Sequence, residues 1–186
     1  MAQPKTIGAE EMHAAIERLA AAIVERHPPP ATVLLLGIAN GGIELARRLT
    51  ARIARLSPAL SAKVGTLDIS FHRDDFGRNP IPKEFAATHI PGDVNGADVV
   101  LVDDVLFSGR TIKAALDELF DHGRPTKVEL AILTDRGGRR LPFAADYCGL
   151  VVAATEHQKV VVHLDLKDPS RDAIRIEASA SRTSAL

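Results

Sequence analysis

Tryptophan is absent from this 186-residue chain, tyrosine and cysteine each occur once, and aromatic residues make up only 4% of it. So few flat rings exclude an aromatic platform on which unpaired bases would stack. The single thiol, Cys148, excludes an internal disulfide and points to a reducing, cytoplasmic setting. Cys148 itself reads as a small core residue at a strand end. No apolar run is long enough to cross a bilayer, and Met1-Ala2-Gln3-Pro4-Lys5 lacks the apolar stretch of a secretion signal. Charge of one sign is lacking too, since 23 Lys and Arg face 24 Asp and Glu. That removes a global electrostatic drive toward nucleic acid and leaves only a local basic patch open.

What remains is an ordinary globular balance, 46% hydrophobic and 25% charged, which at this length fits one domain with a substantial core. Met12, Ile16, Leu19 and Ile23 recur at helical spacing, and His27-Pro28-Pro29-Pro30 stops the helix they define. Residues 32–36 form an apolar strand that turns through Gly37-Ile38-Ala39-Asn40-Gly41-Gly42 into a helix marked by Ile43, Ala46, Thr50 and Ile53. Residues 64–71 read as a strand. Residues 72–96 are polar, rich in Pro and Gly and without helical period, the profile of a functional flap. Further strands are expected at 99–102, at 127–133, near Tyr147 and at 160–164. Alternating strands and helices predict an α/β fold, a parallel twisted sheet flanked by helices. Residues 1–178 make that single domain, and 179–186 read as a disordered tail.

The most informative stretch is Val99-Val100-Leu101-Val102-Asp103-Asp104-Val105-Leu106-Phe107-Ser108-Gly109-Arg110-Thr111. Four apolar residues predict a buried parallel strand that delivers two adjacent carboxylates to its solvent-facing end. Ile112, Ala115, Leu116, Leu119 and Phe120 then share one helical face, and Gly123 with Pro125 ends that helix. The loop between them sits at the amino end of a helix, where unpaired N–H groups and the positive dipole end favour a phosphate. The acidic doublet suits sugar hydroxyls, directly or through a magnesium ion that also contacts phosphates. Asp-Asp and Ser-Gly taken alone fit a plain βα turn with a helix cap. The apolar strand, doubled acid and Thr111 hydroxyl in this order favour a ribose-phosphate site. Turns at 39–42, 103–111 and 134–140 follow three strands and should meet at the carboxyl edge of the sheet.

This segment resembles the phosphoribosyl pyrophosphate (PRPP) signature of the type I phosphoribosyltransferases. Leu67-Asp68-Ile69-Ser70-Phe71-His72-Arg73-Asp74-Asp75, Thr88-His89-Ile90-Pro91 and Gly123-Arg124-Pro125 are similar, in order, to one subgroup. So are Asp135-Arg136-Gly137 and Arg139-Arg140-Leu141-Pro142 with Ala145-Asp146-Tyr147. That subgroup is the PyrR-type pyrimidine operon attenuators and uracil phosphoribosyltransferases, and the likeness spans residues 5–177. It implies an enzyme that joins uracil to PRPP with magnesium, releasing UMP and pyrophosphate. It implies Asp103 and Asp104 on the ribose hydroxyls and on the metal, directly or through water. It implies Val105, Leu106 and Phe107 leading into a 5′-phosphate cradle of Ser108, Gly109, Arg110 and Thr111, with Asn40, Gly41 and Gly42 as the pyrophosphate loop. Arg73 would clamp pyrophosphate under a flap that excludes water. Asp135 and Arg136 would read the uracil edge or the phosphate beside it, near Val160, which by pattern alone is a core valine. The subgroup carries Thr-Arg-Gly where this chain has Asn40-Gly41-Gly42, so an arginine contact to pyrophosphate is missing. No residue stands out as a general base, and the 7 histidines show no metal-ligand spacing.

Two other readings stay open. The subgroup's RNA surface carries a His in the first helix, near Ala21 here, and a His-Arg pair where this chain has Gly138-Arg139. It also has basic residues near Ala144 and Leu150-Val151. Most of those groups are absent, and cation contacts supply most non-specific affinity for RNA. Arg136, Arg139, Arg140 and Lys159 remain as a smaller basic patch. A different base (a purine, orotate or xanthine) is the other alternative, because the strand–loop–helix is shared and His72 replaces the usual Tyr. The resemblance also implies a homo-dimer or higher oligomer, with the first helix and the stretch around Val151 as contacts.

Overall fold

The computed structural model describes residues 6–72 and 87–179. Arg73, Asp74, Asp75, most of the expected flap and the expected tail from residue 180 lie outside them. The described chain runs β1 (Thr6–Ile7), α1 (Ala9–Arg26), β2 (Thr32–Ile38), α2 (Gly41–Leu56), β3 (Ser61–Leu67) and β4 (Asp98–Leu106). It continues with α3 (Arg110–Asp121), β5 (Lys127–Asp135), β6 (Tyr147–Val151), β7 (Gln158–His163), a 3₁₀ turn at Pro169–Arg171 and β8 (Ala173–Ala178).

Five strands form a parallel sheet in the order β3-β2-β4-β5-β6. In β2 every residue after Thr32 is buried, as expected of a strand covered on both faces. Its side chains alternate between two cores. Val33 and Leu35 join Met12, Ile16 and Leu19 of α1 and Leu45 and Leu49 of α2 on one face. Leu34 and Leu36 join Ile112, Ala115 and Leu119 of α3 on the other. The period of two in the strands and the 3.6-residue stripes of the helices thus fit together. The chain winds from β2 outward to β3, then restarts at β4 on the opposite side. A crevice therefore opens beyond the carboxyl ends of β2 and β4, where such sheets bind ligands.

Several boundaries differ from the sequence expectation. β3 covers Ser61–Leu67 rather than 64–71, and Phe71 is 84% exposed. β4 does not stop at the acidic doublet but continues through it to Leu106, because Asp103 stays in register with Ile132 and Val105 with Thr134. The 72–96 stretch is not structureless throughout, since His89 bridges antiparallel to Thr66 through reciprocal backbone hydrogen bonds of 2.8 Å. A second, three-stranded antiparallel sheet, β1-β8-β7, was not anticipated. It buries Ile7, Val160, Ile174 and Ile176 against the α1–α2 face of the main core. Cys148 is exposed on edge strand β6 and is not a core residue. Among the described residues no helix is long and apolar enough to cross a membrane.

Candidate active site

The crevice is built from three strand ends. β2 passes through Ala39 and Asn40 into α2, and the closeness of α2 to β4 is set by glycines. A Cβ at Gly41 would sit 2.5 Å from the Asp104 carboxylate, and one at Gly42 would overlap the Val102 carbonyl oxygen. Only hydrogen at these two positions lets the loop after β2 lie against the doublet on β4. Asp103 and Asp104 are consecutive residues of β4, and their carboxyl groups lie close enough to interact directly.

Asp103 is 5% exposed, which corrects the expectation of a solvent-facing carboxylate. The strand continues past it, so β4 is still paired with β5 where Asp103 sits. Its Oδ1 accepts the Asp104 backbone N–H at 3.0 Å. Burial, and then the adjacent Asp104 charge, hold the Asp103 carboxyl well above the ordinary carboxylate range. Burial raises Asp104 as well, against the backbone N–H of Val105 and the positive field of Lys159 on β7. The pair is therefore poised to gain from a cation or from donated hydroxyls.

Beyond Leu106 the chain makes a tight bend. Gly109 adopts φ +90° and caps α3, a conformation that side chains resist. The Ser108 hydroxyl accepts the Arg110 N–H at 3.3 Å. The first N–H groups of α3 face the crevice end of the fold without intrahelical partners, as any helix start leaves them. The third wall is the loop after β5. Arg139 donates to the carbonyls of Leu106 (3.3 Å), Phe107 (3.0 Å) and Phe143 (3.0 Å), and pairs with Asp135. Asp135 also accepts the Gly137 N–H at 2.8 Å. Arg136 lies over the Phe107 ring, 3.9 Å from its centroid, and donates to the Thr155 carbonyl at 3.1 Å.

The turns at 39–42, 103–111 and 134–140 come together as the sequence predicted, with Gly41 against Asp104 and Arg139 and Arg140 bonded to the chain from Leu106 to Ser108. Asn40, Gly41 and Gly42 bracket one side of the doublet, and Val105 to Thr111 with Asp135 and Arg136 bracket the other. Val160 lies in the core, 5% exposed and in register with Ile176. Arg73 lies outside the described residues. Of the basic patch, Arg139 is spent on internal carbonyls and Arg136 on the Phe107 ring. Two polar groups stand out, the Arg136 Nε of a residue that the sequence named and the hydroxyl of Thr134, which it did not single out. Both are buried with no hydrogen-bond partner among the described residues, and burial lowers the Arg136 pKa. A threonine closing an apolar strand carries no signal that would have singled it out.

A family model described as the phosphoribosyl transferase domain matches residues 5–168. The bifunctional protein PyrR of Roseiflexus sp. (strain RS-1) is 42% identical over 177 residues, covering 95% of this chain and 96% of that protein. The bifunctional protein PyrR of Streptomyces coelicolor is 48% identical over 164 residues, covering 88% of this chain and 83% of that protein. Among solved structures, the hypoxanthine phosphoribosyltransferase of Trypanosoma cruzi shares the fold with a TM-score of 0.63 at 18% identity. It covers 92% of this chain and 94% of that one. Sequence, sheet order and the meeting of three strand ends around an acidic doublet agree: this chain belongs to the phosphoribosyl transferase domain family, on its PyrR branch.

Proposed function

We propose that this chain is a uracil phosphoribosyltransferase that converts uracil and PRPP to UMP and pyrophosphate. The observation that carries the reading is the placement of Asp104 against Gly41, the first residue of α2, on the strand that leads through Ser108 and Gly109 into the N-terminus of α3. One crevice then offers carboxylates for ribose hydroxyls beside N–H donors for phosphate. Ser108 to Thr111 hold the 5′-phosphate, and Asn40, Gly41 and Gly42 take the pyrophosphoryl group. Asp103 and Asp104 bind the ribose hydroxyls and stabilise the positive charge that grows on the ring as the C1′–O bond to pyrophosphate breaks. Uracil's ring nitrogen forms the new bond to C1′ as the C1′–O bond breaks, and the departing pyrophosphate takes that bond's electron pair and the proton that the nitrogen gives up. Asp135 and Arg136 present the edge that positions uracil. The rate gain comes from alignment and charge placement, with no general base required.

Oxygen donors at a strand end suit magnesium. Among the described residues no group of three or more His, Cys, Asp or Glu forms a metal cage. Magnesium needs only one or two carboxylates beside substrate phosphates. Asp103 and Asp104 would hold it, and when bound it neutralises charge on the leaving pyrophosphate.

The relatives' bifunctional description favours a second role as an RNA-binding pyrimidine regulator. The groups left for it are fewer than the sequence count implies, because Arg139 and Arg136 are engaged within the site. The experiment is conversion of radiolabelled uracil, hypoxanthine, guanine, xanthine and orotate with PRPP and magnesium. UMP is the expected product. Faster turnover of another base would overturn the uracil assignment, and no turnover with any base would overturn the enzyme.

A further inference from the structure

Phe107 leaves the end of β4 with its ring 38% exposed, outside both hydrophobic cores. The face of such a ring attracts a cation, and the Arg136 guanidinium takes it, 3.9 Å from the centroid. Backbone geometry aligns the two. The Arg136 N–H donates to the Leu106 carbonyl at 3.1 Å, one residue before the ring. Gly137 and Gly138 then adopt φ +73° and +76°, so the chain doubles back toward it. A Cβ at Gly138 would lie 2.6 Å from Phe107 Cε2, and any side chain there would push the ring from under the guanidinium.

Little else holds the guanidinium. One Nη donates to the Thr155 carbonyl at 3.1 Å, and Nε is buried with no hydrogen-bond partner among the described residues. Its neighbour Asp135 is taken by Arg139 and by the Gly137 N–H. All the donors of a guanidinium lie in its plane, and it has no acceptor. A ring on one face therefore fixes the plane and leaves the donor rim directed sideways. We propose that Phe107 is a specificity-determining positioning residue that acts through Arg136 to select a base edge bearing a carbonyl oxygen. The proposal rests on the reading of Arg136 at the uracil edge. Uracil offers carbonyl oxygens to a donor-only rim. Cytosine carries an exocyclic amino group in place of one of them, and donor then faces donor. An arginine free to swing aside would relieve that conflict and lose the discrimination. The ring face prevents the swing.

The test is steady-state kinetics of the full chain with uracil, PRPP and magnesium, with cytosine as inhibitor, on the parent, Phe107→Leu and Phe107→Tyr. Leucine keeps the apolar bulk and removes the ring face, whereas tyrosine keeps both. Phe107→Leu raises the KM for uracil by about tenfold, the worth of a partly desolvated cation–π contact. The KM for PRPP moves far less, and inhibition by cytosine does not weaken with uracil binding. Phe107→Tyr restores the parent KM. A merely structural role, exerted through the adjacent Ser108, would raise the KM for PRPP as much as that for uracil. That result, or an unchanged uracil KM in Phe107→Leu, overturns the proposal. The Arg136 Nε–H NMR resonance gives a readout independent of turnover. UMP shifts it in the parent, and Phe107→Leu needs about tenfold more UMP for the same shift. Equal titration of the two overturns the proposal. A parent that turns over no base, yet shows this UMP response weakened in Phe107→Leu, sinks the transferase reading and leaves Phe107 in its role.

Discussion

Asp103 shows how a functional residue weighs on the fold that carries it. Its carboxyl is buried beside a second acid and its pKa is raised in the folded state. Stability is then fully present below the ordinary carboxylate value and is lost as pH rises through the raised one. Asp103→Asn removes that charge while keeping the shape. At pH 7 the variant should melt higher than the parent, with the difference closing as the solution is acidified. UMP formation should fall by about a hundredfold, the usual cost of one electrostatic contact to a transition state. Thermal denaturation across pH, paired with initial rates, checks both halves. A lower melting temperature at pH 7 would show that the carboxylate is a structural partner instead.

Among the elements, the loop after β5 is organised by Arg139, whose fork ties it to the end of β4 and to Phe143. Arg139→Ala takes its donor from the Phe107 and Phe143 carbonyls, while Leu106 keeps the Arg136 N–H, a loss of about 1–3 kcal/mol. It also frees the Phe107–Ser108 bend, so KM for PRPP should rise more than kcat falls. Lysine should not rescue it, because a point charge cannot reach three acceptors at once. Steady-state kinetics on both variants decide this. An unchanged KM would remove Arg139 from cradle support. How much of this was legible follows from the kind of signal each element carries. β4 and α3 announce themselves, one as a continuous apolar run and the other as a 3.6-residue stripe. The convergence of three strand ends followed from sheet architecture alone. β8 was missed although Ile174 and Ile176 alternate with Arg175 and Glu177, because a short one-sided strand near a polar end reads like the start of a tail. β3 was displaced toward Ile69 and Phe71 because its first residues, Ser61, Ala62 and Lys63, are weakly apolar. The burial of Asp103 was illegible, since nothing local says that pairing with β5 continues past it.

Over the whole molecule, chemistry and stability occupy opposite ends of the parallel sheet. At the amino ends of the strands, Glu129 is 2% exposed. It accepts from His27 (2.6 Å), Tyr147 (3.0 Å) and Arg26 (3.2 Å), and pairs with Lys127 (2.6 Å). Burial alone would raise its pKa, but the four donors together outweigh burial and bring it to about 2. A depressed value contributes stability above the ordinary glutamate pKa that is lost as pH falls through about 2. Glu129→Gln should cost on the order of 3 kcal/mol at pH 7, lowering Tm by about 10 °C. The gap to the parent should narrow on acidification below pH 4.5. Turnover at a permissive temperature should hold, because the clasp lies across the sheet from the crevice. A matching loss of kcat at that temperature would mean the two ends are coupled.

The small sheet has its own consequence. Thr6 pairs with Arg175 and Ile7 with Ile174, so strands from the two extremes of the sequence run side by side. A short peptide tether could close such a chain into a ring, and the ring could be reopened at an exposed connection such as the one between α3 and β5. Cyclically rearranged versions of this protein would keep every strand pairing that shapes the crevice while changing which segment leaves the ribosome first.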